Sequence, residues 1–180
     1  MHFGHLVAAQ DALERGGLDR VIFVPAAQAP LKPAVVQAAA EHRLAMLRTA
    51  LDGDGRFGIA DHELRRGGVS YTIDTVRHLR AEFPGDELSW IIGADQVPGL
   101  HRWREIGSLV ELIEFILLAR PGHEDGERAD IPGLRMRRCE GHRLEISSTE
   151  IRERIRRGLP LDYFMPHKTV EYVRENRLYL

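Results

Sequence analysis

The chain has 180 residues, which is long enough to bury a hydrophobic core and short enough for a single domain over residues 1–180. Hydrophobic residues make up 43% of it and the net charge is −2, which indicates a soluble globular protein and argues against a dedicated nucleic-acid partner. The sequence has one cysteine, Cys139, and no secretory signal or long apolar span. We therefore expect a cytoplasmic protein with no membrane partner, in which Cys139 has a structural role.

Helical patterns alternate with short apolar runs along the chain. Apolar periodicity predicts helices over residues 5–15, 41–51 and 166–176, a helix capped by Thr72, and a helix that follows residue 146 and ends at Gly158. Continuous β-prone runs predict strands over 21–24, 57–60, 88–92 and 115–119, with further short strands over 134–138 and 144–146. A mobile surface loop is expected over 123–131. The alternation predicts an α/β, Rossmann-like fold, with a mostly parallel sheet and helices on both faces.

Two histidines and a glycine mark the start of the first predicted helix. His2 and His5 are three residues apart, so they lie on one helix face, and Gly4 between them lets a ligand approach the backbone. Free N–H groups and the helix dipole favour an anion such as phosphate at this position. The alternative is a pair of ordinary structural or surface histidines. No His-Glu-x-x-His or Cys-x-x-Cys pattern accompanies them, so no protein metal site is predicted.

A second helix start carries hydroxyl groups and an arginine. Ser148 and Thr149 stand at the start of the helix that follows residue 146, and Arg152 comes one turn later. Together with backbone N–H groups they form a candidate second anion site, within a stretch, residues 135–157, that has eight arginines and four glutamates. The alternative is a plain capped amphipathic helix with a solvated basic surface.

Candidate ligand contacts also come directly after the predicted strands, where open α/β sheets bind their ligands. Lys32, in the loop over 25–35, is suited to an anion, although a lone loop lysine is more often simply solvated. Asp95, just after Gly93, is suited either to a ribose or to a helix cap. Trp103, flanked by charged residues, is suited either to stacking on a flat ring or to the core.

Five motifs together resemble one enzyme family. They are His2-x-Gly4-His5, Ser70-Tyr71-Thr72-Ile73-Asp74-Thr75, Ile92-Gly93-Ala94-Asp95, Trp103 and Ile146-Ser147-Ser148-Thr149-Glu150-Ile151-Arg152. Over nearly its whole length the chain resembles bacterial nicotinate-nucleotide adenylyltransferase, of the nucleotidyltransferase superfamily with the α/β phosphodiesterase-type fold. The resemblance implies transfer of an adenylyl group from ATP to nicotinate mononucleotide, which gives nicotinate adenine dinucleotide and pyrophosphate. This reaction is a late step of NAD biosynthesis and requires Mg²⁺.

The resemblance also implies a role for each motif. The ATP-binding residues would be His2, Gly4, His5, Gly93, Asp95, Ser148, Thr149 and Arg152. Among these, His2 and His5 would be catalytic, because they would hold the phosphates and stabilise the transferring group without acting as bases. The mononucleotide would be bound by Lys32 at its phosphate, Tyr71 and Thr72 at the nicotinate carboxylate, and Trp103 stacked on the pyridine ring.

Two features depart from the family pattern. The family has a β-strand and a Gly-Gly-(Ser/Thr)-Phe-Asp-Pro loop before its first histidine, whereas here Met1 directly precedes His2. A missing central strand leaves two strand edges unpaired, a larger defect than the ~5–15 kcal/mol by which domains are stable. Either the true start lies upstream or this form is impaired. In addition, Leu31 precedes Lys32 where the family commonly has a histidine before the basic residue, which removes one polar contact.

Two other functions stay open at this point. An adenylyltransferase for phosphopantetheine or another phosphorylated small molecule would share the histidine motif, but the Ser-Tyr-Thr segment at residues 70–72 and Trp103 argue against it. A nucleotide-binding module impaired in catalysis is favoured by the missing strand. The choice between nicotinate and nicotinamide mononucleotide, and the existence of a homo-oligomer, also stay open.

Overall fold

A computed structural model of the protein describes residues 1–30, 38–118, 129–142 and 144–180. The helices in these ranges are α1 (Phe3–Arg15), α2 (Ala40–Leu51), α3 (His62–Arg66), α4 (Thr72–Glu82), α5 (Ile106–Leu112), α6 (Ser148–Arg156) and α7 (His167–Glu175), with a 3₁₀ helix at Ala94–Arg102. The strands are β1 (Val21–Phe23), β2 (Phe57–Ile59), β3 (Ser89–Gly93), β4 (Glu114–Leu118) and β5 (Met136–Cys139). None of these helices combines the length and the apolar character needed to cross a membrane.

All strand pairing between these elements is parallel. β1 pairs with β2, with Val21 opposite Phe57. β4 lies between β3 and β5, with Phe115 opposite both Trp90 and Met136. The predicted parallel α/β architecture is therefore confirmed. The described strands nevertheless form two sheets, one of two strands and one of three, instead of a single sheet.

Helices cover both faces of β3. Ile91 packs against the cluster that contains Ala9 and Leu13 of α1, whereas Ile92 packs with Ile73 of α4. Consecutive residues of a strand point to opposite faces of the sheet. Hence α1 and α4 lie on opposite faces, and the prediction of helices on both faces is confirmed.

The hydrophobic core is unevenly divided. The largest cluster surrounds Phe115 of β4, which has no exposed surface. A second cluster joins α2, α6 and α7 through residues that include Met46, Ile151 and Val170. The cluster between α1 and β1 contains only Ala9, Leu13 and Val21 among its buried members. Beside it a cavity of about 1010 Å³ lies between β1 and β3.

Several predicted elements differ from the observed ones. Helix α1 begins at Phe3, two residues earlier than predicted, because the carbonyl of His2 already accepts helical hydrogen bonds. The short strand predicted over 144–146 is wrong, since β5 ends at Cys139 and Leu144 is 44% exposed. The 3₁₀ helix, α3 and α5 were not predicted. The loop predicted over 123–131 lies outside the described residues, apart from its last three.

The predicted cap of α4 is also wrong. Thr72 is the first helical residue, and Tyr71 occupies the cap position with an extended backbone (φ −97°, ψ 133°). The carbonyl oxygen of Tyr71 accepts hydrogen bonds from Asp74 N at 3.1 Å and Thr75 N at 3.3 Å. Backbone geometry therefore sets this helix start, without a side-chain cap.

Candidate active site

The site begins at the start of α1, where the two predicted histidines meet. The backbone of His2 is extended (φ −137°, ψ 166°), and its carbonyl accepts hydrogen bonds from His5 N at 3.0 Å and Leu6 N at 3.4 Å. The two imidazole rings stack, with centroids 3.8 Å apart and an interplanar angle of 28°. His2 is 5% exposed, whereas His5 is exposed. The expected pair is thus a ring stack whose outer member faces solvent.

Gly4 brings this helix start against the segment that leads into α6. A Cβ atom at Gly4 would lie 3.0 Å from His2 Nδ1 and 3.3 Å from the carbonyl oxygen of Ile146. Both distances are tighter than most Cβ contacts, so a side chain at Gly4 would push against the His2 ring and the Ile146 carbonyl. Phe3 N also donates to the carbonyl of Phe164, at 2.9 Å. The start of α1 is therefore held against residues on both sides of α6.

The second predicted helix start is present at α6. Ser147 caps the helix, because its Oγ accepts a hydrogen bond from Glu150 N at 3.1 Å. Arg152 Nη2 donates to Thr149 Oγ1 at 3.1 Å, and Ser148 and Thr149 are exposed. The capping contact uses only Ser147 and Glu150. The hydroxyls of the first turn and the guanidinium of Arg152 therefore lie where an anion can reach them.

One cavity connects the histidines with the end of β3. His2, Gly4, His5, Gly93 and Ile146 all line it. Gly93 is at the carboxyl end of its strand, which is the edge where open α/β sheets bind ligands. The structure thus brings together the start of α1, the end of β3 and the backbone just before α6.

Asp95 lies in the first turn of the 3₁₀ helix after β3. The cap of that helix is Gly93, with no side-chain cap hydrogen bond, so the capping role considered for Asp95 is wrong. The exposed carboxylate of Asp95 accepts a hydrogen bond from Gln96 Nε2 at 2.7 Å. This position leaves the carboxylate at the ligand-binding edge of the sheet.

Tyr71 and Trp103 lie against the hydrophobic core. They do not line the cavity that His2 lines. Both pack on the cluster around Phe115, and the half-buried Trp103 ring meets the Phe115 ring edge to face, with centroids 6.1 Å apart. The guanidinium of Arg104 lies 4.7 Å from the centre of the Tyr71 ring. The two interpretations of Trp103 are thus not exclusive, because one part of the ring packs on the core while another stays accessible.

Lys32 lies outside the described residues, but both ends of its loop are held by a side chain that sequence reasoning missed. The guanidinium of Arg43 donates to the carbonyl oxygens of Ala26 and Ala27, the latter at 3.4 Å, and to that of Ala38 at 3.2 Å. These carbonyls stand on either side of the loop that carries Lys32. A planar guanidinium is suited to hold several carbonyls at once. No local pattern in the sequence indicates this bridge.

Ser70 fixes the same loop from the other side. Its side chain is buried, and its Oγ accepts a hydrogen bond from Ala27 N at 3.0 Å. Its backbone N–H donates to the carbonyl of Gln28 at 2.9 Å. Ser70 belongs to the Ser-Tyr-Thr motif, yet its contact joins two loops instead of facing a ligand.

A buried carboxylate on α1 ties that helix to the turn after β5. Asp11 is 3% exposed and accepts hydrogen bonds from His142 N at 2.7 Å and from His142 Nδ1 at 2.9 Å. A Cβ atom at Gly141 would lie 2.6 Å from Asp11 Oδ2, so any larger residue there would displace the Asp11 side chain. Burial raises the pKa of the neighbouring Cys139 thiol, and Asp11 raises it further, which accords with the structural role expected for this cysteine.

Comparison with known proteins identifies the family. The cytidylyltransferase-like family profile matches residues 1–154. A probable nicotinate-nucleotide adenylyltransferase from Opitutus terrae is 60% identical over 179 residues, which are 99% of this chain and 92% of the relative. A relative of the same name from Symbiobacterium thermophilum is 41% identical over 187 residues, which cover 100% of this chain and 90% of the relative.

Solved structures show the same fold. Nicotinic acid mononucleotide adenylyltransferase from Plasmodium falciparum, in complex with NaAD, gives a TM-score of 0.76 at 16% identity, over 99% of this chain and 91% of that one. The family profile and the relatives agree with this fold. The chain therefore belongs to the cytidylyltransferase-like family, in the branch that contains the nicotinate-nucleotide adenylyltransferases.

Proposed function

We propose that the protein transfers the adenylyl group of ATP to nicotinate mononucleotide, as a single domain acting in the cytoplasm. The product is nicotinate adenine dinucleotide, and the reaction belongs to NAD biosynthesis. The observation that carries the proposal is the stacked His2–His5 pair at the start of α1, held by Gly4 against the backbone that leads into α6. The names of the relatives support the choice of substrate.

The chemistry needs alignment and charge stabilisation more than a protein nucleophile. A phosphate oxygen of the mononucleotide attacks the α-phosphorus of ATP, a new P–O bond forms, and the bond to the β-phosphate oxygen breaks to release pyrophosphate. Negative charge on the transferring group and on the leaving pyrophosphate is stabilised by fixed donors. We assign this donor role to His2 and His5 at the start of α1. At the start of α6 we assign it to Ser148, Thr149 and Arg152.

The remaining assignments divide between the two substrates. Gly4 and Gly93 lie where backbone atoms can approach the nucleotide, and Asp95 accepts hydrogen bonds from a ribose. Tyr71 and Thr72, at the start of α4, bind the nicotinate carboxylate. Trp103 offers the accessible part of its ring to the pyridine, and Lys32 meets the phosphate of the mononucleotide. Support for the assignments of Gly4, Gly93, Asp95 and Thr72 comes from their positions at strand ends and helix starts.

The family implies a divalent cation, Mg²⁺, that is bound with ATP. No three His, Cys, Asp or Glu side chains converge as a metal site among the residues that the structure describes. Mg²⁺ commonly takes its ligands from substrate phosphates and water, so imidazoles, hydroxyls and a guanidinium that hold a triphosphate fit an ion carried by that triphosphate. When bound, the ion neutralises charge on the phosphate oxygens. The role of His2, His5 and Arg152 is to hold and orient those phosphates.

Pyrophosphate release from ATP, nicotinate mononucleotide and Mg²⁺ tests the proposal. We expect His5→Ala to lower kcat by about 10²- to 10³-fold with a small change in the KM for ATP, because the charge it meets grows in the transition state. His167→Ala is the matched control, since His167 is exposed and pairs with Glu171 at 3.3 Å on α7. A loss confined to KM would contradict the role assigned to His5. Phosphopantetheine offered in place of the mononucleotide should release no pyrophosphate.

The split sheet favours a second candidate, a module that binds nucleotide without turnover. In that case the chain binds ATP and releases no pyrophosphate, whether or not His5 is present. A chain extended ahead of Met1 by a strand and a glycine-rich loop separates the two candidates. Activity in the extended chain alone would assign the catalytic function to the completed sheet, and activity in neither would leave the binding module.

A further inference from the structure

The segment that follows Trp103 is docked on helix α4 by two charged side chains. The guanidinium of Arg104 lies over the Tyr71 ring, 4.7 Å from its centre, and Glu105 Oε2 accepts a hydrogen bond from Arg77 Nη2 at 2.7 Å. Tyr71 is the cap residue of α4, and Arg77 belongs to the second turn of this helix. Arg104 therefore lies beside the helix start to which the nicotinate carboxylate is assigned.

The backbone between Trp103 and α5 has an unusual conformation. Glu105 is left-handed (φ 50°, ψ 42°), which residues other than glycine seldom adopt. Such a conformation persists where the surrounding contacts hold it. Here the contacts are those of Arg104 with Tyr71 and of Glu105 with Arg77. The turn that carries Trp103 thus also fixes the position of Arg104.

The charges around the start of α4 do not balance. Arg66 Nη1 lies 3.5 Å from Asp74 Oδ2, and Arg104 Nε lies 3.7 Å from Glu105 Oε1. The hydrogen bond from Arg77 is the main cause of the lowered pKa of Glu105, and the charge of Arg104 adds less. These five side chains comprise three guanidinium groups and two carboxylates, so one positive charge is in excess.

A guanidinium in excess distinguishes a carboxylate from a carboxamide. Its N–H groups are all donors, and they form a planar fork that matches the two oxygens of a carboxylate. A carboxamide has one oxygen and an NH₂ group, which would set a donor against a donor. The carboxamide also lacks the negative charge that strengthens these hydrogen bonds. A guanidinium at this helix start therefore favours the acid over the amide.

We propose that Arg104 makes the site selective for nicotinate mononucleotide over nicotinamide mononucleotide, because its guanidinium meets the carboxylate at the start of α4. This inference rests on the proposed function, which assigns the carboxylate to Tyr71 and Thr72 and the pyridine ring to Trp103. The stacking on Tyr71 restricts the guanidinium before the ligand arrives, so less conformational freedom is lost on binding. The Arg104 side chain is 53% exposed, so salt screens its attraction for the carboxylate.

Calorimetric titration of the 180-residue chain with each mononucleotide tests the proposal without ATP or turnover. The selectivity is the Kd for nicotinamide mononucleotide divided by the Kd for nicotinate mononucleotide. We expect Arg104→Met to lower this ratio by about five- to twentyfold, through weaker binding of the nicotinate form. Arg104→Lys keeps the charge without the fork and should give an intermediate ratio. Arg102→Met removes the same charge from an exposed position two residues away and should leave the ratio unchanged.

The salt dependence of the same ratio gives a test that needs no variant. The ribose and the phosphate are common to both ligands, so their contributions cancel in the ratio. We expect the selectivity of the unaltered chain to fall as NaCl is raised from about 0.05 M to about 0.5 M. In Arg104→Met the ratio should change little with salt. A contact that only stabilises the fold would not give this difference.

Several outcomes would overturn the proposal. They are an unchanged ratio in Arg104→Met, an equal fall in Arg102→Met, and a selectivity of the unaltered chain that does not respond to salt. Each of these leaves the proposed function intact if pyrophosphate is still released from ATP and nicotinate mononucleotide. Selective binding that depends on Arg104 without any release of pyrophosphate would support the proposal and contradict the proposed function. Binding of neither mononucleotide would contradict both.

Discussion

The two sheets show two ways of burying a parallel strand. In the three-stranded sheet, β4 has a neighbour on each side, and its residues Phe115 and Ile116 have no exposed surface. In the two-stranded sheet, β1 has one neighbour among the residues that the structure describes, and of its three residues Val21 alone is buried. Both strands are short and apolar, so composition does not account for the difference. Having neighbours on both sides is what completes the burial of a strand.

This contrast separates the fully packed part of the molecule from the part that borders the cavity between β1 and β3. The cluster around Phe115 joins β3, β4, α4 and α5. The α1 cluster, with Ala9, Leu13 and Val21, borders that cavity. The stacked histidines are at the start of α1, so the candidate site stands on the less completely packed side.

The largest expected effect is on the free energy of unfolding. It is tested by replacing one phenylalanine in each sheet. Phe115→Ala should lower the free energy of unfolding by about 3–5 kcal/mol, because it opens a cavity in a fully buried cluster. Phe23→Ala should cost less than half as much, since Phe23 is only partly buried and already lies beside the cavity between β1 and β3. Urea denaturation of the two variants measures both values. Equal losses would show that the two sheets are equally well packed and would remove the contrast.

The next effect concerns the carboxylate that ties α1 to the end of β5. Asp11→Asn keeps the shape but removes the charge that accepts two hydrogen bonds from His142, so we expect a loss of about 1–3 kcal/mol in unfolding free energy. Asp19→Asn, at an exposed position near the end of the same helix, is the control and should change little.

Gly141→Ala tests the same contact from the other side, because its Cβ atom would lie 2.6 Å from Asp11 Oδ2. If the contact ties α1 to the larger sheet, Asp11→Asn and Gly141→Ala should each speed hydrogen exchange in α1 more than in β4. Equal acceleration in α1 and β4 would contradict this.

Local signals in the sequence predicted much of the fold. They could not predict contacts between residues that are far apart in the chain. The strands at β3 and β4 were placed within one residue, because buried parallel strands are continuous apolar runs. The starts of α1 and α6 carry recognisable residues. By contrast, Asp11 and His142 are 131 positions apart, and nothing local at either position indicates their contact. The 3₁₀ helix at Ala94–Arg102 contains Pro98, and its buried residues Ala94, Val97 and Leu100 repeat every three residues instead of at the spacing of an α-helix.

A smaller effect is expected from the arginine that holds the loop of Lys32. Arg43→Lys keeps the charge but cannot reach the carbonyls of Ala26, Ala27 and Ala38 together. We expect the KM for nicotinate mononucleotide to rise about three- to tenfold, the equivalent of about 0.7–1.4 kcal/mol, with kcat nearly unchanged. Arg48→Lys, exposed on the same helix, is the matched control. An equal rise in the KM for ATP would show that Arg43 acts on the whole fold instead of on this loop.

The smallest effect is a pH dependence at the start of α3, which follows β2 along the chain. Both ring nitrogens of His62 are buried without a hydrogen-bond partner among the described residues, and the ring stacks on His78 with centroids 4.1 Å apart. Burial lowers the pKa of His62, and the charge of His78 lowers it further, while Glu63 and Glu82 act in the opposite direction and Arg66 adds to the lowering.

Because the folded pKa of His62 is below the unfolded value of about 6.5, the unfolded chain takes up the proton first as the pH falls. His62 therefore contributes stability above about pH 6.5 that is lost as the pH drops towards the folded pKa. His62→Phe should remove this acid-dependent loss, measured by urea denaturation at several pH values between about 5 and 8. His101→Phe, at an exposed position, is the control. An unchanged pH slope in His62→Phe would show that the stacked pair contributes no acid sensitivity, and the small sheet would then differ from the large one in packing alone.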